Sequence, residues 1–344
     1  MATALNKAAK GKAHPNFHAP RFWATWLGLA LLWPLHLLPY RLQIWLGRQL
    51  GKVFRLINPY RRRVVQTNLS LCFPELDERA REQLEKRSFE CLGVSIVEET
   101  TGIWAADRFF DKLGHIEGLE HIEQAQQQGK GVLLLSGHFC SLDFAGRLLT
   151  RAYPVCFTYQ ELRNPLTHHI LMKNREKIAH HMIHRHNIRG FIKALKNAEA
   201  VWYAPDQSQQ RRNSVYAPFF GIQANTLTAT TRLAKLTGAV VLPFAIRRLP
   251  DARGYALTIQ PALEGFPGED EVADATRFNA LIESQIRENP EQYLWIHRRF
   301  KKRPAGEARL YPPKPRRAKR KARRIRRKTR AKRKLERKQE KSRG

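Results

Sequence analysis

Residues 131–149 read GVLLLSGHFCSLDFAGRLL: an apolar run from Val132 to Leu135, a Ser136-Gly137 break, then His138 and Asp143 with four residues between them. A short aliphatic run bounded by glycine and serine is the pattern of a strand covered on both faces, as in the middle of an α/β sheet. The amphipathic FAGRLLTRA that follows predicts a helix, so His138 falls in a strand-to-helix turn, where open α/β sheets bind their ligands. On one continuous helix, a separation of five sets two side chains about 140° apart, at roughly 100° per residue. His138 and Asp143 therefore meet only if the histidine lies in the turn and the aspartate reaches back from the helix. So arranged, the carboxylate fixes the imidazole tautomer and stabilises its protonated form, and the other ring nitrogen can take a proton from a hydroxyl. Taken alone, the spacing is more often that of a turn histidine satisfied by its neighbours. Cys140 carries no pattern of an activated thiol and is assigned to packing.

Outward from this stretch the pattern alternates. VCFTYQ, AVWYAPD, AVVLPFAIRR and YALTIQPALE read as strands, and NPLTHHILMKNREKIAHHMI, GFIKALKNA and TLTATTRLAKLTG as the helices between them. That alternation predicts an α/β fold with a largely parallel or mixed sheet flanked by helices. Residues 41–125 are helical in pattern. In PELDERAREQLEKRSFECLG the acids come early, and Gly93 is the expected stop. There is no internal repeat and no Gly-rich phosphate loop.

The chain of 344 residues is 42% hydrophobic, enough for a full core, and its 62 Lys+Arg against 30 Asp+Glu give +32. Residues 314–344 hold 19 of these cations and 2 glutamates, so the remaining body is basic as well. A polyanionic partner is implied: nucleic acid, anionic lipid or a phosphorylated substrate. Cys72, Cys91, Cys140 and Cys156 show no paired spacing and read as free thiols of a reducing compartment. Residues 22–39, FWATWLGLALLWPLHLLP, lack any acid, Lys or Arg. At 18 residues they are just long enough to span a bilayer, and Trp23, Trp26 and Trp33 suit its interface. Pro34 leaves an interfacial, partly inserted helix open. No small-residue cleavage site follows, so the run is read as an anchor and not a signal peptide. Lys7, Lys10, Lys12 and Arg21 before it balance Arg41, Arg48, Lys52 and Arg55 after it. Arg61, Arg62 and Arg63 tilt the body towards the cytoplasm. The organisation expected is an N-terminal segment (1–21), an anchor (22–39), a catalytic domain (40–313) and a basic tail (314–344) that cannot bury a core.

The strand followed by His-x4-Asp resembles the acyltransferase superfamily that includes the glycerol-phosphate acyltransferases. The wider set of motifs resembles one family within it, the late acyltransferases of lipid A biosynthesis, the lauroyl/myristoyl type that use acyl-carrier protein. It covers about residues 20 to 312 and rests on RRRVVQTNLSLCFPEL, GVLLLSGHFCSLD, YQELRNP, IRGFIKALKNAEAVWYAPDQ, SVYAPFFGIQANTLTATTRLAKLTGAVVLPFAIRRLPD and PEQYLWIHRRFKKRP. The resemblance implies a glycerol-phosphate-acyltransferase-like mixed sheet and His138 with Asp143 as the catalytic pair. It implies substrate-binding roles for Tyr159, Asn164, Arg175, Asp206, Arg298 and Arg299. Gln160 stands where an arginine is usual, and Ser208 and Gln209 where a second aspartate is often found. It implies an acyl-carrier-protein thioester as donor, a Kdo-bearing lipid A precursor as acceptor, membrane lipids as partners, an inner-membrane location, and no metal or nucleotide cofactor. The oxyanion donor is expected from Arg175 or from a backbone N–H near His138.

Other features carry blander readings. In HHMIHRH, His180 and His184 are an i, i+4 pair on the predicted helix, but without a neighbouring Glu, Cys or Asp the set is an incomplete zinc site. A basic or solvated helix face is the preferred reading. Arg211-Arg212 and Arg247-Arg248 are as often solvated loop charges as phosphate clamps. The tail is expected to bind anionic lipid headgroups. A membrane-tethered nucleic-acid-binding protein would account for the charge but not for His138, Asp143 and the α/β body, so nucleic acid is not the main partner expected. An acyltransferase for a lysophospholipid or another glycolipid remains the alternative within enzymes.

Overall fold

The computed structural model describes residues 15–208 and 213–313. The basic tail and the Arg211-Arg212 pair lie outside the described residues. In chain order the elements are α1 (Trp23–Leu32), α2 (Tyr40–Ile57), α3 (Pro59–Cys72), α4 (Glu78–Trp104), β1 (Gly114–Glu117), α5 (Leu119–Gln127), β2 (Val132–Leu135), α6 (Leu142–Ala152), β3 (Val155–Tyr159), α7 (Pro165–Ile178), β4 (Met182–His184), α8 (Ile188–Lys196), β5 (Ala200–Tyr203), β6 (Ser214–Phe219), β7 (Ile222–Leu227), α9 (Ala229–Thr237), β8 (Val240–Arg248), β9 (Tyr255–Ile259) and α10 (Glu271–Glu288).

Seven strands make one mixed sheet in the order β1-β9-β8-β2-β5-β3-β4, parallel at each pairing except β8 with β9. β6 and β7 form a separate antiparallel hairpin. β2 sits at the centre of the sheet, and all four of its side chains are fully buried. The pleat sorts this unalternating run between two cores. Leu133 and Leu135 join Val201 and Val241 on one face, and Val132 and Leu134 join Ala200, Trp202 and Leu242 on the other.

Three local expectations are corrected. The HHMI segment is not the end of a helix: α7 stops at Ile178, and Met182–His184 pair with β3 as the outermost strand. The i, i+4 geometry imagined for His180 and His184 therefore does not exist. Gly93 does not end a helix either, because α4, capped by the Asp77 carboxylate on the Ala80 N–H, runs on to Trp104. Its function is steric. A Cβ on Gly93 would lie 2.1 Å from the Gly47 carbonyl oxygen, and one on Gly51 would lie 2.1 Å from the Phe89 carbonyl oxygen. The crossing of α2 over α4 is thus a backbone-to-backbone contact that only glycine permits.

The third correction concerns the apolar N-terminus. α1 is ten residues long, and Pro34 opens a 3-10 turn over Trp33–Leu37. Ten residues rise about 15 Å, half of a hydrocarbon core of about 30 Å. Among the described residues no helix is long and apolar enough to cross a membrane. Trp23, Leu27, Leu31, Trp33 and Leu37 are nonetheless exposed, and so are Trp45, Val53, Leu56 and Ile57 of α2.

Candidate active site

The chain leaves β2 at Leu135 and makes a short turn before α6 begins at Leu142. The turn is held on both sides. Ser136 N–H donates to the Tyr203 carbonyl (3.2 Å), and Trp202 Nε1–H donates to Ser136 Oγ (2.6 Å) from the adjacent β5. Across the turn, Leu294 N–H donates to the His138 carbonyl (3.0 Å), and Cys140 N–H donates to the Gln292 carbonyl (2.8 Å). His138 therefore sits in the strand-to-helix turn, as expected, at the C-terminal edge of the parallel strands.

Its carboxylate partner is Asp206, not Asp143. Asp206 follows the C-terminal end of β5, the strand next to β2. Its Oδ1 bonds His138 Nδ1, and its Oδ2 accepts the His138 backbone N–H at 3.0 Å and the Tyr293 hydroxyl at 2.8 Å. Burial opposes ionisation of Asp206, but His138 and the other donors outweigh it and hold the carboxyl below its usual range. Burial disfavours the His138 imidazolium, yet the charge and hydrogen bond of Asp206 raise its pKa above that of an ordinary histidine. Nδ1 is engaged and Nε2 is the ring nitrogen turned away from the carboxylate, on a side chain 27% exposed.

Asp143, in the first turn of α6, pairs instead with Arg175 from the last turn of α7. Glu99 of α4 lies beside this pair. Burial, then the like charge of Asp143, push its carboxyl up to about 7, with Arg175 opposing. Glu98, Glu99, Phe139, Ser141 and Asp143 line a pocket of about 230 Å³ next to the turn.

Of the remaining expected binding residues, two turn out to hold the fold. Asn164 caps α7: its Oδ1 accepts the N–H groups of Leu166 (3.0 Å) and Thr167 (3.2 Å), and its Nδ2 donates to Thr25 Oγ1 (2.8 Å). Arg299 is 1% exposed, and its guanidinium donates to the Asn225 carbonyl, Thr226 Oγ1 and Asn279 Oδ1 at 2.7–3.1 Å, fastening the β6–β7 hairpin to α10. Both side chains have their polar groups turned into the protein. Tyr159 closes β3 opposite His184 and stacks on His168, and Arg298 donates to the Tyr60 hydroxyl at 3.1 Å from a partly exposed position. Neither contacts the His138–Asp206 pair.

Residues given no role in the site from sequence support the turn from below. Arg248, left open in sequence between a solvated loop charge and a phosphate clamp, is buried against Glu98 through two hydrogen bonds of 2.7 and 2.6 Å. It also donates to Ser141 Oγ at 2.8 Å. Its backbone N–H and carbonyl are both bonded by the Gln292 amide (2.8 and 2.9 Å), whose own carbonyl receives Cys140. His297 lies near Asp206 and His138, and burial lowers its pKa to about 4, so it is neutral. Its Nε2 is buried without a hydrogen-bond partner. The backbone N–H groups of residues 138–140 all have partners within the protein.

The layout also explains why two distant motifs occur in one chain. Asn68 Nδ2 of α3 donates to the carbonyls of Trp295 (2.7 Å) and His297 (2.8 Å), and Arg61 donates to that of Ile296 (2.8 Å). The RRRVVQTNLS helix thus clamps the segment that carries Tyr293 and His297.

Comparisons with known proteins identify the family of the chain. Residues 10–302 match the family described as bacterial lipid A biosynthesis acyltransferase. The chain is 40% identical to the lipid A biosynthesis palmitoleoyltransferase of Escherichia coli K12 over 86% of this chain and 97% of that one. It is 38% identical to the lipid A biosynthesis lauroyltransferase of the same organism, over 85% and 96%. Among solved structures, the 1-acyl-sn-glycerophosphate acyltransferase PlsC from Thermotoga maritima aligns over 73% of this chain and 97% of that one, at 15% identity and a TM-score of 0.34. With a family match across most of its length and relatives of this similarity, the chain belongs to the bacterial lipid A biosynthesis acyltransferase family and is an acyltransferase.

Proposed function

We propose that the protein moves a fatty acyl chain from the thioester of acyl-carrier protein to the hydroxyl of a 3-hydroxyacyl chain on Kdo-lipid IVA, with His138 as general base. The observation that carries this reading is the orientation of His138 by the buried Asp206, with Nε2 directed away from it. Asp206 keeps the ring proton on Nδ1, so Nε2 offers its lone pair to the acceptor hydroxyl. As that proton moves to Nε2, the hydroxyl oxygen bonds to the thioester carbonyl carbon. Collapse of the tetrahedral intermediate breaks the C–S bond, and the imidazolium returns the proton to the departing thiolate. The adjoining Asp206 charge stabilises the imidazolium between the two steps. Asp143 and Arg175 would frame the pocket beside the base, with Arg175 supplying positive charge towards the developing oxyanion. No cofactor enters this scheme, because the thioester already carries the activated acyl group.

The acceptor is a membrane lipid, and the exposed apolar residues of α1 and α2 suit an interfacial attachment better than a span. On α2, Trp45, Val53, Leu56 and Ile57 are exposed beside Arg48 and Lys52, the arrangement of a helix lying in an anionic headgroup layer. The basic surface would also draw in an acidic carrier protein. The test is transfer of a labelled acyl chain from acyl-carrier protein to Kdo-lipid IVA by detergent-solubilised protein, with His138→Ala alongside. Transfer by the native protein that collapses in the variant supports reaction and base together. Transfer that survives removes His138 from the mechanism, and none from the native protein sends the reading to other hydroxyl lipids.

A further inference from the structure

The histidine-rich segment that looks incomplete in sequence is completed by the fold. His180 and His181 lie in the bend between α7 and β4, and Glu199 lies immediately before β5. β3 separates β4 from β5 in the sheet and brings the three side chains to one edge. The ligand atoms of His180, His181 and Glu199 all lie within 4.8 Å of one another, and His181 Nε2 is 3.8 Å from Glu199 Oε1. The two imidazole rings have centroids 4.3 Å apart. A tetrahedral ion with bonds of about 2.1 Å holds its ligand atoms about 3.4 Å apart. Modest rotations of two exposed imidazoles therefore close the set.

The frame around these groups is already fixed. The His180 N–H donates to the Val155 carbonyl (3.0 Å), and the His181 carbonyl accepts the Phe157 N–H (2.9 Å), which pins both residues to β3. Glu199 is pinned by its N–H to the Ala194 carbonyl (3.0 Å) and by its carbonyl to the Val132 N–H (3.1 Å). The Glu199 side chain is 14% exposed, and its second oxygen, Oε2, accepts the thiol of the buried Cys156 at 3.1 Å. Ligating carboxylates commonly have such a supporting donor, and the other oxygen, Oε1, faces His181 with only a long bond of 3.5 Å from Asn197 Nδ2 to give up.

We propose that His180, His181 and Glu199 bind a divalent transition ion of the zinc type. Two imidazoles and one carboxylate suit zinc and its neighbours, whereas magnesium and calcium take oxygen ligands. Three protein ligands leave a fourth position to water. The site lies at the N-terminal ends of the parallel strands, and His138 at the C-terminal ends, separated by a four-residue strand of roughly 13 Å. The ion is thus structural with respect to acyl transfer. It ties the entry of the outermost strand, β4, to β5 across β3.

The experiment uses untagged full-length protein in detergent, stripped with chelator and titrated with zinc against a chromophoric competitor, with thermal unfolding followed in parallel. The native protein should take up one equivalent that raises its melting temperature. Glu199→Gln and the double variant His180→Ala/His181→Ala should lose that equivalent and the thermal response, with the circular dichroism of the zinc-free form unchanged. Cys156→Ala should weaken zinc binding by about 10- to 100-fold, the usual cost of losing a partner behind the ligands. His184→Ala should bind as the native protein does. Equal zinc uptake and equal thermal response in the native protein and the double variant would overturn the proposal. So would loss of the equivalent in His184→Ala, since that would place the ion elsewhere in the histidine run. Substituting cobalt gives a second readout: tetrahedral coordination produces visible d–d absorption, which the double variant should lack.

Discussion

Two aspartates flank the turn that carries His138, and they are held in opposite ways. Asp206 is 1% exposed, takes three hydrogen bonds, and faces the imidazole of His138. Asp143 has a side chain 40% exposed and answers to a single arginine. A carboxylate buried among donors has few ways to reorganise, so it can fix a proton on a neighbouring ring. One half in water can trade its partner for solvent and suits contact with something that comes and goes. The acid nearest to the histidine in sequence is therefore not the one that orients it.

The contrast can be broken most directly at His138, the proposed base. His138→Ala should lower kcat/KM by about 10²- to 10⁴-fold. Asp206→Asn should cost a similar factor, because an amide can stabilise the wrong tautomer and cannot balance the imidazolium. The pH profile separates these explanations. A base must be neutral to act, so activity should fall as pH drops through the raised pKa of His138, above the ordinary value of about 6.5. In Asp206→Asn the raising charge is gone and the acid limb of kcat/KM should move to lower pH. An unmoved limb would mean that Asp206 does not govern the titration. The same pair contributes to stability with two signs. The Asp206 part is present above about pH 4 and lost as pH falls through its depressed pKa. The His138 part is present below about 6.5 and lost as pH rises through its raised one. Urea unfolding of Asp206→Asn against pH should lack both slopes.

Support from beneath the turn comes next in size. Arg248→Met leaves Glu98 buried without its ion pair and should destabilise the fold by about 3–5 kcal/mol in chemical denaturation. Asp143→Asn should cost on the order of ten- to a hundredfold in kcat/KM, the scale of one charge-assisted hydrogen bond of about 1.5–3 kcal/mol. It should also lower the pKa of Glu99 from about 7, because a like charge has gone. If its loss in rate equals that of Asp206→Asn, the contrast between the two acids fails. The smallest effect is at Asn164. Replacing this cap by alanine should cost about 1 kcal/mol of stability and leave the KM for the acceptor unchanged.

The central strand and the turn after it could be read from residues 131–149 because a short apolar run ending in Ser-Gly has few other uses. The family motifs marked Asp206 as a functional residue, and its partner came from a crossover: Asp206 lies 68 residues from His138 in sequence, just after β5, which is next to β2 in space. No local period carries that information. The β6–β7 hairpin was not separated from its motif, since Phe220-Gly221 is a tight turn inside a stretch with no other break. Asn164 and Arg299 show the reverse limit. A motif says that a side chain is needed and not whether it faces a ligand or the interior. Gly93 taught the same lesson: a residue that ends helices in isolation continued one here, because the neighbouring helix required its lack of a side chain.

That glycine contact has a mechanical meaning. α2 presents tryptophan and aliphatic side chains outward, and on its other face Gly47 and Gly51 interlock with α4 without an intervening side chain. Five and six residues beyond Gly93, on the order of 8 Å along the axis, α4 delivers Glu98 and Glu99 to the pocket. A joint made of backbone has little play. The outward apolar face and the pocket wall are two ends of one stiff beam, so if α2 lies in a headgroup layer as proposed, its tilt there would carry over to the pocket wall.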